Sequence, residues 1–257
     1  MKVTMLGCGP SWGVPRIGNG WGQCDPKNPR NRRRRVSALV EEAGATLLID
    51  TSPDLREQLL DAGVARIDAV LFTHAHADHL HGLDDLRSVN WLMQKGIPIY
   101  GSARTLAEIG ERFSYVFGAV DPGTQRSNYY KPALEPHAVD GPFRAAGIEI
   151  VPFVQDHGFS ETLGFRIGPF AYSTDVINLD ERAFAVLSGI ELWIVDCIRR
   201  TPHVTHSHLA KTLQWIDRVK PRRAVLTHMD ESLDYETLRR ELPDGIEPGY
   251  DGLAIEL

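Results

Sequence analysis

Short runs of apolar residues divide the chain into predicted strands and helices. Residues 2–6 and the alternating apolar positions 253, 255 and 257 predict a first and a last strand, and residues 37–40 with 46–50 predict a hairpin. Further apolar runs predict strands at 69–72, 97–100, 148–154, 170–173, 192–195 and 224–226. Leucine spacing and a Ser52-Pro53 start predict a helix that stops at Gly63, and other periodic segments predict helices after His79 and over 105–113.

The apolar run 69–72 is followed at once by a cluster of side chains that bind metals. His74 and His76 are two residues apart, so an extended backbone presents both imidazoles on one side. Asp78 and His79 follow where the chain is expected to turn into a helix carrying Leu83, Leu86 and Met93. A single histidine is usually incidental. Three histidines and an aspartate within six residues at the end of a strand predict a metal site, because imidazole and carboxylate are ligands of transition metals.

Histidine or aspartate also follows other predicted strands. His157 comes after the strand at 148–154, Asp175 after 170–173, Asp196 after 192–195 and His228 after 224–226. Strands that each deliver such a residue at their carboxyl end predict that one rim of a layered sheet is the site. Asp50 also ends a strand, and it is either a residue that leads into the next helix or a carboxylate that fixes a ligating imidazole.

Two polar or glycine-rich loops allow more than one interpretation. The Gly7–Pro15 segment predicts a tight loop that is either a plain turn or a wall of the site, and it carries no nucleotide-binding fingerprint. Five arginines within residues 30–35 form either a solvated face or a patch that holds a phosphate or an acidic partner. Residues 118–145 predict loop or edge structure, in which His137 is incidental.

Length and composition indicate one ordinary globular domain over residues 1–257. The formal net charge of −6 argues against a nucleic-acid or acidic-membrane binder. Three scattered cysteines fit a reducing cytoplasm better than a disulfide scaffold. The N-terminus predicts a strand, since its apolar part is too short for a signal peptide, and no apolar stretch is long enough to span a bilayer.

The His74-x-His76-x-Asp78-His79 motif, followed by His157, Asp175 and His228, resembles the signature of the metallo-β-lactamase superfamily. That resemblance implies an α/β fold, a four-layer αββα sandwich with a dinuclear metal site at one edge. It also implies that His74, His76 and His157 bind one metal, that Asp78, His79 and His228 bind the other, and that Asp175 bridges them. An aspartate at position 175, where zinc β-lactamases have a cysteine, is typical of the other hydrolases of the family.

Finer motifs are similar to one branch of that family, the cyclic phosphodiesterase of the carbon–phosphorus lyase pathway and its relatives, which resemble tRNA 3′-processing endonucleases. They are the opening 7–11, the loop around Cys24 with the arginine run, 195–197 and the ending 249–252. The resemblance implies that His206 is a catalytic acid and substrate contact; otherwise it is a histidine at a helix start. Only Cys24 remains of the structural zinc site of that branch, and Glu231 replaces its late histidine. One thiolate cannot close a four-ligand site, so we expect no structural zinc.

These expectations combine into one functional hypothesis. Two divalent cations, Zn or Mn with Fe compatible, would hold a bridging hydroxide that attacks a small phosphodiester or cyclic phosphate. Asp78 and His206 are the predicted catalytic residues, and His206 would protonate the leaving alkoxide. The alternatives are thioester hydrolysis of the glyoxalase II type, tRNA 3′-processing and metal binding without turnover. We expect a small phosphate-containing partner, with neither membrane nor nucleic acid, while the natural substrate and a homodimeric state stay open.

Overall fold

The computed structural model of the chain describes residues 1–18, 20–117 and 131–257. Fourteen strands of these residues form two sheets: β1 (Lys2–Gly7), β2 (Ser37–Glu42), β3 (Ala45–Ile49), β4 (Ala69–Leu71), β5 (Ile97–Gly101), β6 (Leu134–Ala138), β7 (Phe143–Ala145), β8 (Ile148–Asp156), β9 (Glu161–Ile167), β10 (Phe170–Ser173), β11 (Leu192–Asp196), β12 (Arg223–Thr227), β13 (Ile246–Pro248) and β14 (Ala254–Glu256). The first sheet has the order β14-β1-β2-β3-β4-β5-β6 and the second β13-β12-β11-β10-β9-β8-β7. The connections therefore follow a similar plan in both halves of the molecule.

Helices cover the outer faces of the two sheets. They are α1 (Leu55–Ala62), α2 (Ala77–Leu80), α3 (Leu86–Met93), α4 (Ala103–Arg112), α5 (Glu181–Leu187), α6 (Leu209–Val219) and α7 (Tyr235–Glu241), with 3₁₀ turns at Pro29–Asn31, Leu83–Asp85 and Ser114–Val116. Because successive strand residues point to opposite faces, Leu39 and Leu48 pack towards α1 and α3, whereas Val40 and Ile49 pack into the core between the sheets. The predicted α/β class and the four-layer αββα sandwich are confirmed.

Both sheets deliver strand ends to one rim of the sandwich. Strands β3, β4 and β5 run parallel to one another, as do β10, β11 and β12. Their carboxyl ends carry the residues that follow each apolar run, so histidines and aspartates distant in sequence meet at one edge. This arrangement is the layered-sheet rim that the sequence predicted.

The structure differs from the predicted elements in several places, and α5, α6, α7 and β13 were not predicted. Helix α1 begins after Asp54 instead of Ser52, whose hydroxyl binds Gln58. The helix predicted after His79 is divided into α2, a 3₁₀ turn and α3, since Gly82 packs against the backbone of Ser52 with no room for a Cβ atom. Strand β9, which pairs with β8, was not predicted. The first part of the predicted loop, residues 118–130, lies outside the described residues.

Candidate metal centre

The end of β4 brings four side chains to the rim within a single turn of chain. The strand stops at Leu71, the chain bends at Thr73, and His76, with an extended backbone, is the N-cap of α2. The rings of His74 and His79 lie 4.2 Å apart between centroids, and those of His74 and His76 lie 4.3 Å apart. His74, Asp78 and His79 are buried, whereas His76 is exposed and marks the opening of the site.

The second sheet adds His157 after β8, Asp175 after β10 and His228 after β12. The structure thus brings all seven predicted ligands together. Their ligand atoms fall into two groups, within each of which they lie within 4.8 Å of one another: His74, His76, His157 and Asp175 in one, and Asp78, His79 and His228 in the other. These two groups contain the sets that the family resemblance implied, and Asp175 also forms a third group with His206 and His228; that they bind metal stays a prediction.

Asp175 lies between the two groups and presents one oxygen to each. Its Oδ1 is 3.8 Å from His74 Nε2 and 3.7 Å from His157 Nε2. Its Oδ2 is 3.0 Å from His79 Nε2 and 3.4 Å from His228 Nε2. A carboxylate that faces two imidazole groups in this way has the geometry of a bridging ligand.

The backbone at three site residues adopts a conformation that glycine prefers. Asp50, Asp175 and His228, each at the end of a strand, have φ values of 60°, 55° and 59°. Left-handed backbone costs a side-chain-bearing residue about 1–2 kcal/mol and is concentrated at functional sites. The bend turns each side chain from the sheet plane towards the rim.

Buried hydrogen bonds fix the orientation of two imidazoles. Asp50 Oδ2 lies 2.7 Å from His79 Nδ1, and Asp50 also accepts bonds from the backbone N–H and the hydroxyl of Thr73 at 2.8 and 2.7 Å. The carbonyl oxygen of Thr205 lies 2.8 Å from His157 Nδ1. When Nδ1 donates to such an acceptor, the Nε2 lone pair is left free and points into the cluster. Of the two interpretations of Asp50, the geometry favours the carboxylate that fixes an imidazole.

The polar atoms at the centre of the cluster test whether cations fit there. The Nε2 atoms of His74, His79 and His228 are buried and make no hydrogen bond, although carboxylate oxygens lie 3.0–3.8 Å away. Buried polar groups in proteins nearly always have partners. Nitrogen and oxygen atoms that surround common points without bonding to each other suit divalent cations, so the residues fit the expected metals.

The pKa values of the cluster residues also indicate that the site suits cations. Burial by itself would lower the pKa of His228, but the carboxylates of Asp175 and Asp78 outweigh it and raise that pKa to about 9. Burial would raise the pKa of Asp175, yet the imidazoles of His228 and His79 hold it well below its usual range. The polypeptide alone therefore balances its carboxylates with protonated imidazoles, and bound cations would supply the same positive charge.

His206 lies beside the cluster and contacts a carboxylate that the sequence analysis did not assign. Its ring stacks on that of His228 with 4.6 Å between centroids, and its Nε2 is 3.7 Å from Asp175 Oδ1. On the other side, His206 Nδ1 lies 3.3 Å from Oδ2 of Asp196, which also accepts a bond from the backbone of Ser207. Asp196 ends β11 as a fully buried carboxylate, and its position after a strand was the one signal in the sequence.

The members of the arginine run lie in different environments, with Arg33 in the interior and Arg32 exposed. Arg33 is 1% exposed and donates to the carbonyl oxygens of Asp230 and Leu233 at 2.9 and 2.5 Å. The guanidinium of Arg30 lies over the rings of Tyr235 and Tyr250. For Arg33 the interpretation as a solvated residue is wrong, because the side chain holds the loop after β12 in place.

The loop around Cys24 is tied to the same region by hydrogen bonds. Cys24 Sγ donates to the carbonyl oxygen of Leu233 at 3.6 Å. Glu231 accepts a bond from Trp12 Nε1 at 2.8 Å and pairs with Arg16 at 3.4 Å. The segment after β1 therefore packs against the residues that follow His228 and forms one wall of the rim.

Comparisons with known proteins agree with the fold. A model of the Beta-lactamase superfamily domain matches residues 45–229. The structure of a diphosphatase from the PhnP family superposes with a TM-score of 0.90 and 33% identity, covering 100% of this chain and 97% of that one. Octanoyltransferase from Porphyromonas gingivalis is 34% identical over 260 residues, 98% of this chain and 51% of that protein. Ribonuclease Z from Bradyrhizobium diazoefficiens is 37% identical over 95 residues, 35% of this chain and 32% of that protein.

This chain spans about half the length of the first of these curated relatives and about a third of the second. None of the helices in the described ranges is long and apolar enough to cross a lipid bilayer.

Proposed function

Because this chain belongs to the metallo-β-lactamase superfamily, we propose that it is a metal-dependent hydrolase that cleaves a small phosphodiester or cyclic phosphate. The observation that carries this proposal is the division of seven nitrogen and oxygen ligands into two groups around Asp175, with His206 beside them. The similarity to a PhnP-family diphosphatase, which extends over nearly the whole of both chains, supports phosphate chemistry.

The family implies divalent metal ions, and we propose that two are bound. His74, His76 and His157 would hold one ion, Asp78, His79 and His228 the other, and Asp175 would contact both. A donor set of imidazole and carboxylate without thiolate suits Zn or Mn, and Fe is compatible. Bound there, the ions would lower the pKa of a water molecule and neutralise negative charge on phosphate oxygens.

The charge of the site favours an anionic substrate. Two divalent ions would bring +4 and the ligating carboxylates of Asp78 and Asp175 return −2, so the ligand set with its ions would carry a net charge of +2. A phosphodiester anion is attracted by that charge, whereas a neutral ester is not. Asp78 Oδ2 lies 3.4 Å from His79 Nε2 and 3.5 Å from His228 Nε2. In this position the carboxylate can accept a proton from the attacking water.

His206 is the proposed acid for the leaving group. Its Nδ1 faces the buried carboxylate of Asp196 and its Nε2 points towards the cluster, so a proton on Nε2 lies on the substrate side. Hydrolysis of a diester breaks one P–O bond, and the alkoxide that leaves needs this proton. Asp196 would keep the ring in the orientation that donates.

Turnover of a cyclic nucleotide, whose leaving group is an alkoxide, tests the roles of these two residues. His206→Ala should leave metal content unchanged and lower turnover by about a hundredfold or more, and Asp196→Asn should lower it in the same direction. The matched control is His208→Ala in the same loop, because His208 is the N-cap of α6 and its side chain makes no cap hydrogen bond. Unchanged turnover in His206→Ala at full metal content would remove His206 from the mechanism.

The second candidate function is tRNA processing. It is favoured by the similarity to Ribonuclease Z, which covers about a third of this chain. A substrate panel separates that activity from phosphodiester hydrolysis: bis-p-nitrophenyl phosphate, a cyclic nucleotide, a tRNA precursor and an octanoyl thioester. The thioester also tests hydrolysis of the glyoxalase II type. Binding of metal without turnover of any substrate would favour a non-enzymatic protein.

A further inference from the structure

A cavity of about 520 Å³ lies along the same rim as the metal centre and has no part in the chemistry described above. One side is formed by the carboxyl ends of β4, β5 and β6, and the other by β8 and β9. Its walls are residues 73, 102–104, 138–140, 152–154 and 161–163. We call it the rim cavity. Its volume is within the range of about 300–1,000 Å³ in which proteins bind small organic molecules.

Two residues of the rim cavity contact the metal ligands directly. The hydroxyl of Thr73 lies 3.0 Å from His74 Nδ1, and the hydroxyl of Thr162 donates to the backbone oxygen of Asp175 at 3.0 Å. A second cavity shares Arg104, Val154 and Glu161 with it and reaches the turn after His157. The rim cavity therefore adjoins the cluster through Thr73 and Thr162 and adjoins the second cavity through their shared residues.

The walls of the rim cavity combine an apolar part with polar residues, among which Arg104, Asp140 and Glu161 are charged. Val139, Phe153, Val154 and Leu163 contribute aliphatic and aromatic surface, and Val154 keeps 53% of its area exposed. Phe159, on the adjoining turn, is 88% exposed. The ring of Phe153 packs against Gly164, because a Cβ atom at residue 164 would lie only 2.3 Å from the ring. Apolar surface left open beside a charged centre gains free energy when a ligand covers it.

We propose that the rim cavity binds the organic group of the phosphate ester, and that this group presents an apolar surface at least the size of a phenyl ring. The inference rests on the proposed function, because it places the phosphorus atom at the metal centre. A charged centre next to a cavity with an apolar part matches an amphiphilic ester with its phosphate at one end and an apolar group at the other. A simple alkyl phosphate would leave the cavity unfilled.

Two phosphate monoesters of equal charge test this assignment on the metal-loaded protein. Calorimetry should show phenyl phosphate binding at least about tenfold more tightly than methyl phosphate, because only the phenyl ring buries apolar area in the cavity. Ala138→Phe should abolish that preference and leave methyl phosphate binding unchanged, since residue 138 lines the cavity and is exposed at the end of edge strand β6. Val154→Thr, which is nearly isosteric, should weaken phenyl phosphate alone.

The matched control is Ala254→Phe. Ala254 is also an exposed alanine in an edge strand of the first sheet, but β14 forms the opposite edge. This variant should retain the preference for phenyl phosphate. Equal binding of the two esters to the unmodified protein, or a preference that survives in both Ala138→Phe and Val154→Thr, would overturn the assignment.

The proposed function has its own readout. If bis-p-nitrophenyl phosphate is hydrolysed with metal but phenyl and methyl phosphate bind equally, the rim cavity assignment alone fails. If neither monoester binds the metal-loaded protein and no diester is hydrolysed, phosphate recognition itself is wrong and both proposals fail.

Discussion

Replacement of Asp50 by asparagine should weaken one of the two proposed metal sites and spare the other. Asp50 uses both oxygens at once: Oδ1 accepts from the backbone of Thr73, and Oδ2 lies 2.7 Å from His79 Nδ1. An asparagine has only one oxygen. If its amide NH₂ faces His79, Nδ1 must accept the bond, and the proton moves to Nε2, where it occupies the lone pair that would bind metal.

The expected decrease in metal affinity follows from the loss of the tautomer that binds metal through Nε2. Removal of a carboxylate that orients a metal-bound histidine costs about 10–100-fold in metal affinity, which corresponds to about 1.4–2.7 kcal/mol. His79 belongs to the group with Asp78 and His228, so only one ion per chain should bind more weakly. The turned amide alternatively places its NH₂ against the N–H of Thr73, which is unfavourable by a similar amount.

Competition with a chromophoric chelator measures both sites in one titration. In Asp50→Asn we expect one ion to be released at a chelator concentration about 10–100-fold lower, with the second unchanged. Asp68→Asn is the control, because Asp68 is another buried carboxylate that binds backbone, just before β4 at the far end of the strand. Two unchanged affinities in Asp50→Asn would refute the tautomer argument, and equal weakening of both sites would show a general structural effect instead.

Three further predictions concern stability. Arg33→Met should lower the free energy of unfolding by about 2 kcal/mol or more, because two hydrogen bonds from a charged donor to buried carbonyl oxygens are lost and only longer bonds from Cys24 and the Leu233 N–H remain; an unchanged midpoint in urea would contradict this. Burial raises the pKa of Asp251 to about 7, so the folded chain holds a proton that the unfolded chain releases near pH 4. Stability should therefore fall as the pH rises from about 4 to 7 and level off above it, and Asp251→Asn should flatten that part of the profile. Removal of metal by a chelator should lower the thermal midpoint by about 5–10 °C, as expected when a ligand present at a hundred times its Kd is lost, whereas an unchanged midpoint would argue against tight binding to the folded state.

The sequence predicted those parts of the molecule whose signals are local. The apolar runs ending in histidine or aspartate identified the strands and the rim, because a buried strand and the residue after it are neighbours in the chain. The ligand groups then came from the resemblance to a family. The contact between Asp196 and His206 could not be predicted in this way, because it depends on the path of the chain between β11 and α6.

The role of Arg33 could not be predicted because its acceptors are about 200 residues away in sequence. A run of arginines is normally solvated, and nothing within the run marks which member enters the interior. The division of the helix after His79 likewise depends on a contact between Gly82 and Ser52, 30 positions earlier. Such contacts belong to the assembled fold, and the local pattern does not contain them.

The left-handed backbone at Asp175 and His228 places two proposed metal ligands at the cost of stability. At both positions glycine would relax the chain and remove an ionisable group from the interior, so variants that have lost the ligand can melt later than the parent in the absence of metal. Selection of this protein for thermal stability without added metal would consequently enrich inactive variants. Engineering of the protein should therefore measure turnover and thermal stability together.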